Sequence, residues 1–405
     1  MLDNGKAEGA RKIKQIEKYC LRDIAIVSQG FTFSRSYQGK KNLKWNYFKV
    51  ADIGINPNSK YLTNAINTIS DITMEEIGAL PFSKGSIVFP RVGAALFNNN
   101  KKILAQDGVV DDNVLVLTVT DTSKCWYEFL YYYLQGIPLA KWCNSGLVPV
   151  INTKTVLSQM VFLPPLPEQQ KIAAILSTQD KVIELKEKLL AQKQQQKKYL
   201  MQQLLTGKKR LPGFCEKWTR KQLGELFENR VEINRSDLGL LAITSTRGIL
   251  PRDCLDLKDN SSEDKSKYLR ICPGDIGYNT MRMWQGVSAY SEYEGIVSPA
   301  YTILAPMEGV YSRYFAYLFK TQSVIFSFYR FSQGLVDDTR NLKYENFKKI
   351  SVSIPSKVAE QRAIVQILST ADHEIDLLQK SIEAEKQKKK ALMQLLLTGK
   401  VSVRI

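Results

Sequence analysis

Two stretches of the chain carry the same long pattern of apolar and polar positions. Residues 168–208 and 360–400 align without a gap at an offset of 192, and 22 of the 41 aligned positions are identical. Both stretches are rich in Ala, Leu, Gln, Lys and Glu, and neither contains proline or glycine before Gly207 and Gly399. This composition, closed by glycine, predicts two long α-helices.

Apolar residues recur every seven positions along both predicted helices. The seam consists of Leu176, Ile183, Leu190 and Leu204 in the first copy, and of Leu368, Ile375, Ile382 and Leu396 in the second. Lys197 and Lys389 interrupt it at the same heptad site. The pattern predicts a two-helix coiled coil, and the connectivity favours an antiparallel pair because the intervening region can return the chain to the far end. An alternative is that each helix packs on a separate globular core.

The regions outside the helices contain short strand-like and helix-like runs. Ser86–Phe89 and Asn113–Leu117 predict strands, whereas the aromatic-rich segments Tyr127–Leu134 and Tyr314–Phe319 predict helices. We therefore expect an α+β fold with two globular domains of mixed α/β structure, separated by the coiled coil, and an internal pseudo-twofold repeat. The predicted division is 1–163 for the first globular domain, 164–206 for a linker and long helix, 207–355 for the second globular domain, and 356–405 for the distal long helix.

Composition narrows the range of partners. The 405 residues include 57 Lys and Arg against 40 Asp and Glu, a formal net charge of +17. This excess favours an acidic partner such as nucleic acid, although a solvated basic surface would give the same count. No apolar run approaches the roughly 18 residues of a membrane-spanning helix. The N-terminus has no secretory signal and the six cysteines form no C-x-x-C pair, so we expect a cytoplasmic protein.

The rare residues exclude several kinds of catalysis. The chain has one histidine, His373, which argues against sites that need several imidazoles, and it has no phosphate-binding P-loop motif. We therefore predict neither a catalytic centre nor a metal site, and we expect His373 to face solvent.

Candidate DNA contacts are sought where Arg, Lys, Asn and aromatic residues alternate, because Arg and Asn can bind base edges while Lys binds phosphate. In the first globular region they are Arg35, Lys40, Lys41, Asn42, Lys44, Trp45, Arg91, Asn98 and Lys101. In the second they are Arg247, Arg252, Asn279, Thr280, Arg282, Trp284, Gln285, Arg340 and Asn341. The segment Tyr278–Gln285 is dense in such residues, but a core strand with Met and Trp inside would show the same pattern.

One motif resembles a known family. Pro164-Pro165-Leu166-Pro167-Glu168-Gln169, followed by a long helix that ends Leu-Leu-Thr-Gly-Lys, resembles the conserved regions of specificity subunits of type I restriction–modification enzymes. The second copy differs, because Ile354-Pro355-Ser356 lacks the double proline. The resemblance implies two target recognition domains, each reading one half of a bipartite double-stranded DNA target, with the coiled coil as spacer.

The resemblance also implies a non-catalytic subunit that binds no cofactor itself. S-adenosylmethionine would belong to partner modification (methyltransferase) subunits, and ATP and Mg²⁺ to partner restriction (motor–endonuclease) subunits. A fused restriction–methylation enzyme would need an N-P-P-[FY] motif, which Asn56-Pro57-Asn58-Ser59 does not satisfy. A coiled-coil scaffold, or a DNA-binding protein without a restriction role, stays open as the alternative.

Overall fold

The computed structural model describes residues 16–55, 59–144, 146, 148–244, 248–254 and 264–403. The candidate Arg247 and the segment 56–58 lie outside these ranges. The chain forms two compact units: the first comprises Met1–Leu189 with Gln379–Ile405, and the second comprises Leu190–Leu378. Both boundaries fall inside the long helices, whereas the sequence divides the chain into four consecutive parts, a division that stays a prediction.

The described part of the first unit contains three sheets. The five-stranded sheet has the order β2-β9-β6-β7-β4, the three-stranded sheet has the order β5-β3-β8, and β1 pairs with β10. The strands are β1 Glu17–Cys20, β2 Ala25–Gln29, β3 Trp45–Phe48, β4 Tyr61–Leu62, β5 Asn67–Ile69, β6 Ile87–Pro90, β7 Lys102–Leu104, β8 Val109–Val110, β9 Val114–Val119 and β10 Met160–Leu163. The short helices are α1 Val50–Ile55, α2 Asp71–Glu76, α3 Tyr127–Gln135 and α4 Thr153–Leu157.

The apolar run of β9 reflects its place in the sheet. β9 lies between β2 and β6 and pairs antiparallel with both. Val114–Leu117 are fully buried, so this strand is apolar on both faces instead of alternating. The predicted strands at Ser86–Phe89 and Asn113–Leu117 are confirmed as β6 and β9, and the predicted helix at Tyr127–Leu134 is confirmed as α3.

The described part of the second unit repeats this plan with smaller sheets. A four-stranded sheet has the order β12-β19-β16-β17, and β11 pairs with β20, β13 with β14, and β15 with β18. The strands are β11 Thr219–Gln222, β12 Phe227–Asn229, β13 Leu241–Thr244, β14 Gly248–Pro251, β15 Leu269–Ile271, β16 Ile276–Asn279, β17 Ser288–Tyr290, β18 Gly295–Val297, β19 Tyr301–Pro306 and β20 Ser351–Ile354. The short helices are α6 Ser312–Leu318, α7 Gln322–Phe331 and α8 Tyr344–Phe347.

The repeat extends to the turns. β6 and β16 are each preceded by a glycine with positive φ: Gly85 at +89° and Gly274 at +96°. Glycine adopts this conformation without the strain that a side chain would add. The predicted helix at Tyr314–Phe319 is confirmed as α6, which begins two residues earlier than predicted.

The long helices are α5, Leu166–Leu204, and α9, Val358–Leu396, each of 39 residues. The repeated Glu-Gln pairs and the closing glycines predict helices over 168–206 and 360–398, and both observed helices start and end two residues earlier. Pro167 lies in the first turn of α5, just before the repeated stretch. Proline is compatible with this position, because an N–H group there would have no partner within the helix. Gly207 and Gly399 have φ of +71° and +73° just beyond the helix ends, as expected of glycine that terminates a helix.

The two long helices run antiparallel within each unit. In the first unit, Lys389 pairs with Asp180 and Glu385 pairs with Lys186, so residue numbers rise on one helix as they fall on the other. In the second unit, Glu374 pairs with Lys193 and Asp372 pairs with Lys197, in the same sense. Hydrogen bonds from Lys186 and Gln179 lower the pKa of Glu385 to about 2. Charged side chains thus supply much of the contact between the helices.

The apolar seam packs on globular cores as well as along the helix pair. Leu176 and Leu396 belong to the core of the first unit, and Leu204 and Leu368 to the core of the second. Ile183 and Ile382 are buried, whereas Leu190 and Ile375 are half-buried. The coiled coil and the alternative, helices that pack on separate cores, therefore each describe part of the arrangement.

We expect Leu176→Ala and Leu368→Ala each to lower the free energy of unfolding by about 2–5 kcal/mol, because both side chains are fully buried. Leu377→Ala, at a leucine of α9 that is 52% exposed, serves as the control and should change it by less than about 0.5 kcal/mol. Urea denaturation followed by circular dichroism measures the difference. Equal effects at Leu368 and Leu377 would contradict this account of the seam.

Candidate nucleic-acid interface

A basic segment of the first unit, residues 35–45, lies in the connection from β2 to β3 and ends at the first residue of β3. Its C-terminal end is held by Asp71, whose Oδ1 lies 2.8 Å from Nζ of Lys44 and 2.7 Å from Nε1 of Trp45. These hydrogen bonds lower the pKa of the Asp71 carboxyl. Lys44 is therefore engaged by a carboxylate, although its side chain is still largely exposed. The other polar candidates of this segment are exposed: Arg35, Lys40, Lys41 and Asn42.

Arg91 lies at the end of β6, beside the turn formed by residues 111–113. Its backbone N–H donates to the carbonyl of Asn113 over 2.8 Å. The carbonyl of Phe31, just beyond β2, accepts from the N–H of Asp112 in the same turn. The structure thus brings Arg91 and the chain that leads into the basic segment to the same end of the strands in the five-stranded sheet. Asn98 ends a 3-10 helix, Ala94–Asn98, and is exposed.

Lys101 is buried, with 2% of its surface exposed. Its Nζ donates to Oδ1 of Asn99 over 2.7 Å and to the carbonyl of Ile137 over 2.9 Å. Burial lowers the pKa of Lys101 to about 7. The prediction that Lys101 contacts DNA is therefore corrected: its amine joins two segments of the first unit. The burial of Lys101 is not visible in the sequence, because a lysine that closely follows Asn98 and Asn99 resembles part of an exposed basic loop.

The segment that follows β16 in the second unit is a loop, and the alternative of a core strand does not extend beyond Asn279. The Oδ1 atom of Asn279 accepts the N–H of Met281 over 2.9 Å, and the chain then forms a 3-10 helix, Met283–Gln285. Arg282 and Gln285 are exposed, whereas Met283 is fully buried. Asn279 and Thr280 are half-buried at the base of the loop. The loop thus presents two polar side chains and is anchored by one apolar side chain.

Tyr329 of α7 connects this loop to the other candidates. Trp284 packs against Tyr329 with ring centroids 6.2 Å apart, and the guanidinium of Arg340 lies 4.0 Å from the centre of the Tyr329 ring. Arg340 also pairs with Asp337, and its side chain is only 14% exposed. The N–H of Leu342 donates to the carbonyl of Thr280 over 2.8 Å. The structure therefore brings the loop after β16 and the segment 340–342 together, but Arg340 itself is held by protein groups.

The positions of the remaining candidate residues in the second unit do not distinguish a DNA contact from a structural role. Asn341 pairs with Gln333 through both backbone hydrogen bonds. Arg252 begins a 3-10 helix, Arg252–Cys254, and is half-buried. Arg247 lies outside the described residues.

The Glu–Gln pair at the start of each long helix has a role that sequence reasoning missed. Gln169 is fully buried; its Oε1 accepts the N–H of Trp126 over 2.9 Å, and its Nε2 donates to the carbonyls of Lys124 and Pro164. In the second unit Arg210 forms two hydrogen bonds with the carboxylate of Glu360, at 2.6 and 2.8 Å. The signal in the sequence was the identity of Glu168-Gln169 and Glu360-Gln361 in the two copies.

Neither a cluster of metal-binding side chains nor a membrane-spanning helix is present among the residues that the structure describes. No group of three or more His, Cys, Asp or Glu side chains is placed to hold a metal ion within this part of the chain. In the same residues, no helix is long and apolar enough to cross a membrane.

Comparisons with known proteins agree with one another. A family model described as the type I restriction modification DNA specificity domain matches residues 13–195 and 264–386. The fold is similar to the crystal structure of a type I restriction-modification system S subunit from M. genitalium, with 15% identity, a TM-score of 0.59, and coverage of 96% of this chain and 97% of that chain. A chain from a structure that describes complex assembly and conformational transition of a type I R-M system has 14% identity, a TM-score of 0.57, and coverage of 94% and 97%.

Two globular regions of mixed α/β structure, each followed by a long helix, define a duplicated protein with the fold of the M. genitalium S subunit. Because the family model matches both regions and most of the chain, this protein belongs to the type I restriction modification DNA specificity family. The family resemblance and the fold class that the sequence predicts are therefore confirmed.

We expect Gln169→Leu to lower the free energy of unfolding by about 2–4 kcal/mol, because it leaves one buried N–H and two carbonyls without partners. Gln361→Leu should cost less, about 1 kcal/mol, since Gln361 donates to the carbonyl of Pro355 while its Oε1 has no hydrogen-bond partner in the described structure. Guanidinium denaturation of both variants measures the two losses. A larger loss for Gln361→Leu would refute this reading of the anchors.

Lys101 should make stability depend on pH above neutrality. Its pKa is about 7 in the folded protein against an ordinary value of 10.5, so between these values the unfolded chain binds the extra proton. The unfolding free energy of the wild type should therefore rise with pH over this window relative to that of Lys101→Met. Thermal unfolding from pH 7 to pH 10 tests this, with Lys349→Met at an exposed lysine as the control. Parallel curves for wild type and Lys101→Met would show that the amine does not titrate in this window.

Proposed function

We propose that the chain is the DNA sequence-specificity subunit of a type I restriction–modification complex, in which each globular domain reads one half of a bipartite double-stranded target. The observation that carries the proposal is that a DNA specificity family model matches both copies of the repeat. The duplication supports a bipartite target, since two similar but diverged domains suit two different half-sites.

The surfaces described above support a division of roles among the candidate contacts. In the first unit, Arg35, Lys40 and Lys41 are exposed on a segment suited to phosphate contacts. In the second unit, Arg282 and Gln285 are exposed on an anchored loop suited to base edges in a groove. Anchoring matters because a contact discriminates between bases only where the protein holds it in one geometry.

The proposed subunit is non-catalytic, as expected of a member of this specificity family, and it acts with partners. Modification subunits would supply S-adenosylmethionine-dependent methylation of adenine, and restriction subunits would supply ATP- and Mg²⁺-dependent translocation and cleavage. We place the complex in the cytoplasm, where its DNA substrate is found. In this proposal the chain holds none of these cofactors and contributes DNA recognition and assembly.

Sequencing of methylated adenines in a host that carries the complete system tests the function. We expect methylation within one bipartite sequence, and exchange of residues 211–355 for the equivalent part of a related subunit should change one half of that sequence. Loss of site-specific methylation when the chain is deleted, with the modification subunit retained, is also expected. Unchanged methylation after deletion would favour the scaffold alternative.

Arg282→Ala should weaken binding of the methylation-mapped target by roughly tenfold to a hundredfold and barely affect random duplex. A bidentate contact to a base edge contributes about 1–3 kcal/mol of discrimination, whereas a phosphate contact affects all sequences alike. Fluorescence anisotropy of the subunit assembled with its modification partner, at fixed salt, gives the ratio of the two affinities. Lys349→Ala, at an exposed lysine outside the loop, is the control. An equal loss for both duplexes would instead make Arg282 a phosphate contact.

A further inference from the structure

A cavity of about 430 Å³ lies inside the second unit. Residues of β14, β17 and α6 line it, together with Lys320 two residues beyond α6 and Asp372 of α9. All of these residues belong to the same compact unit. The volume is within the range that small-molecule sites in proteins occupy.

The repeat identifies the equivalent place in the first unit through α3 and α6. The hydroxyl of Tyr132 in α3 donates to Asp180 over 2.6 Å, and the hydroxyl of Tyr317 in α6 donates to Asp372 over 2.7 Å. The two aspartates are equivalent in the 192-residue repeat, so these contacts align α3 with α6. In this alignment Tyr131 corresponds to Ala316, and Gln135 corresponds to Lys320.

The strand register gives a further correspondence between the units. Two residues after the positive-φ glycine before β6, Ile87 pairs with Ile103 of β7. Two residues after the positive-φ glycine before β16, Ile276 pairs with Tyr290 of β17. Lys101 lies two residues before Ile103, as Ser288 lies two residues before Tyr290. Lys101 therefore corresponds to Ser288.

The first unit places larger side chains at these positions. Tyr131 and Lys101 are 6% and 2% exposed, and the cavity that they line has a volume of only about 190 Å³. Ala316 and Ser288 stand at the equivalent positions and line the cavity of about 430 Å³. The second unit thus has a cavity at the place where the first unit buries a tyrosine and a lysine.

A buried hydroxyl lines the larger cavity. Ser288 is 3% exposed, and its Oγ atom has no hydrogen-bond partner among the residues that the structure describes. A buried hydroxyl without a hydrogen bond is unfavourable, and most such groups in proteins have a partner. A ligand that brings an acceptor oxygen into the cavity would supply that partner.

Lys320 places a positive charge beside Ser288. Its Nζ donates to the carbonyl of Gly286 over 2.7 Å and to the carbonyl of Ser288 over 2.6 Å. Burial lowers the pKa of Lys320 to about 8, and no carboxylate in the described part of the chain forms an ion pair with it. An ammonium group has three N–H donors, so one is left for a ligand. A buried cation without a counter-charge favours an anionic ligand.

The other charged groups that line the cavity are already paired. Arg313 pairs with Glu292, and Asp372 pairs with Lys197. The charges of these pairs cancel, so the ammonium of Lys320 leaves a single positive charge. A carboxylate matches that charge, whereas a phosphate monoester carries about −1.5 to −2 at pH 7. The charge balance therefore favours a monocarboxylate over a phosphorylated ligand.

Apolar side chains supply much of the remaining lining. Ile249 and Ala289 are buried, Leu250 is half-buried, and Tyr290 adds an aromatic ring. Removal of apolar ligand surface from water is the main source of affinity in a cavity of this kind. The lining therefore suits an organic acid with an apolar body better than an inorganic anion.

We propose that the second unit contains a binding site for a small organic monocarboxylate. The carboxylate group accepts hydrogen bonds from Oγ of Ser288 and Nζ of Lys320, and the apolar body packs against Ile249, Leu250 and Ala289. The site does not depend on the proposed function, since it is built from the cavity of one unit. Gln135 in place of Lys320 means that the first unit lacks the equivalent cation.

Isothermal titration calorimetry of the full-length chain with benzoate, cyclohexanecarboxylate and 2-naphthoate tests the site. We expect saturable binding of at least one of these acids with a stoichiometry of one. The amide of the same acid has a similar shape but no charge, and it should bind about tenfold more weakly or less tightly still. Absence of saturable binding for all three acids at millimolar concentration would overturn the proposal, as would equal affinities for acid and amide.

Two single substitutions test the polar groups. Ser288→Ala and Lys320→Gln, which introduces the amide of the first unit, should each weaken binding of the acid by roughly tenfold. Ser288→Ala should also leave Tm of the ligand-free protein unchanged or raise it, because it removes a buried hydroxyl without a partner. Lys349→Gln, at an exposed lysine, is the control and should keep the affinity of the wild type. A lower Tm with unchanged affinity in Ser288→Ala would show a structural role only and would refute the site.

Ala316→Tyr introduces the tyrosine of the first unit and keeps the proposal testable if Lys320→Gln does not fold. The added ring should fill the cavity and abolish saturable binding of the acid, while the circular dichroism spectrum stays that of the wild type. Unchanged affinity in this folded variant would locate the ligand elsewhere on the chain, contrary to the proposal.

Phenyl phosphate and a random DNA duplex distinguish the carboxylate site from a phosphate contact. We expect phenyl phosphate to bind more weakly than benzoate, and we expect the duplex not to displace the bound acid. Tighter binding of phenyl phosphate would overturn the assignment to a monocarboxylate. Displacement of the acid by the duplex would instead make the cavity part of a DNA contact and would also overturn it.

Discussion

The apolar side chains of the two long helices recur every seven residues, so they would pack equally well if one helix slipped by seven residues along the other. The rest of this structure depends on the contacts that select one of these helix registers. Leu176 and Leu368 supply burial, but burial alone has no direction along the helix axis. Direction and register come from polar groups whose partners lie at one place only. In each unit the antiparallel sense is marked by ion pairs such as Lys186–Glu385 and Lys193–Glu374.

Polar anchors at the helix starts solve a related problem, since the first turn of each long helix must also be held against the rest of its unit. Gln169 satisfies two carbonyls and one N–H of the first unit from inside that core. A fully bonded buried amide tolerates little displacement, because any shift leaves several groups unsatisfied at once. The second unit meets the same need with different chemistry, through the two hydrogen bonds between Arg210 and Glu360. Each helix is thus held at its start as well as along its seam.

The sequence predicted the features that rest on local pattern. Helix bounds were placed within two residues because glycine and proline mark helix ends, and β6 and β9 followed from apolar runs. The prediction that Lys101 contacts DNA is wrong, because its amine is buried against the carbonyl that folding brings from Ile137. The sequence allows the loop after β16 to be predicted as an exposed polar surface. It does not predict the contact between Arg340 and Tyr329, because no periodic pattern relates the two segments that this contact joins. Which candidates contact DNA stays a prediction.

The residues that are identical in the two copies include those that bind side chains from several elements at once. Asp180 and Asp372 each accept a bond from a globular tyrosine and pair with a lysine of the opposite helix, so a change at either aspartate disturbs two other elements. Arg282, by contrast, is exposed on a loop whose fixed point is the buried Met283. Such a loop can exchange its exposed polar residues without loss of packing, because these side chains are not part of the buried core. The aspartates that bind partners on several elements are therefore constrained in sequence, whereas the exposed residues of an anchored loop can change. One domain can acquire a new binding specificity in this way while the register of the long helices is kept.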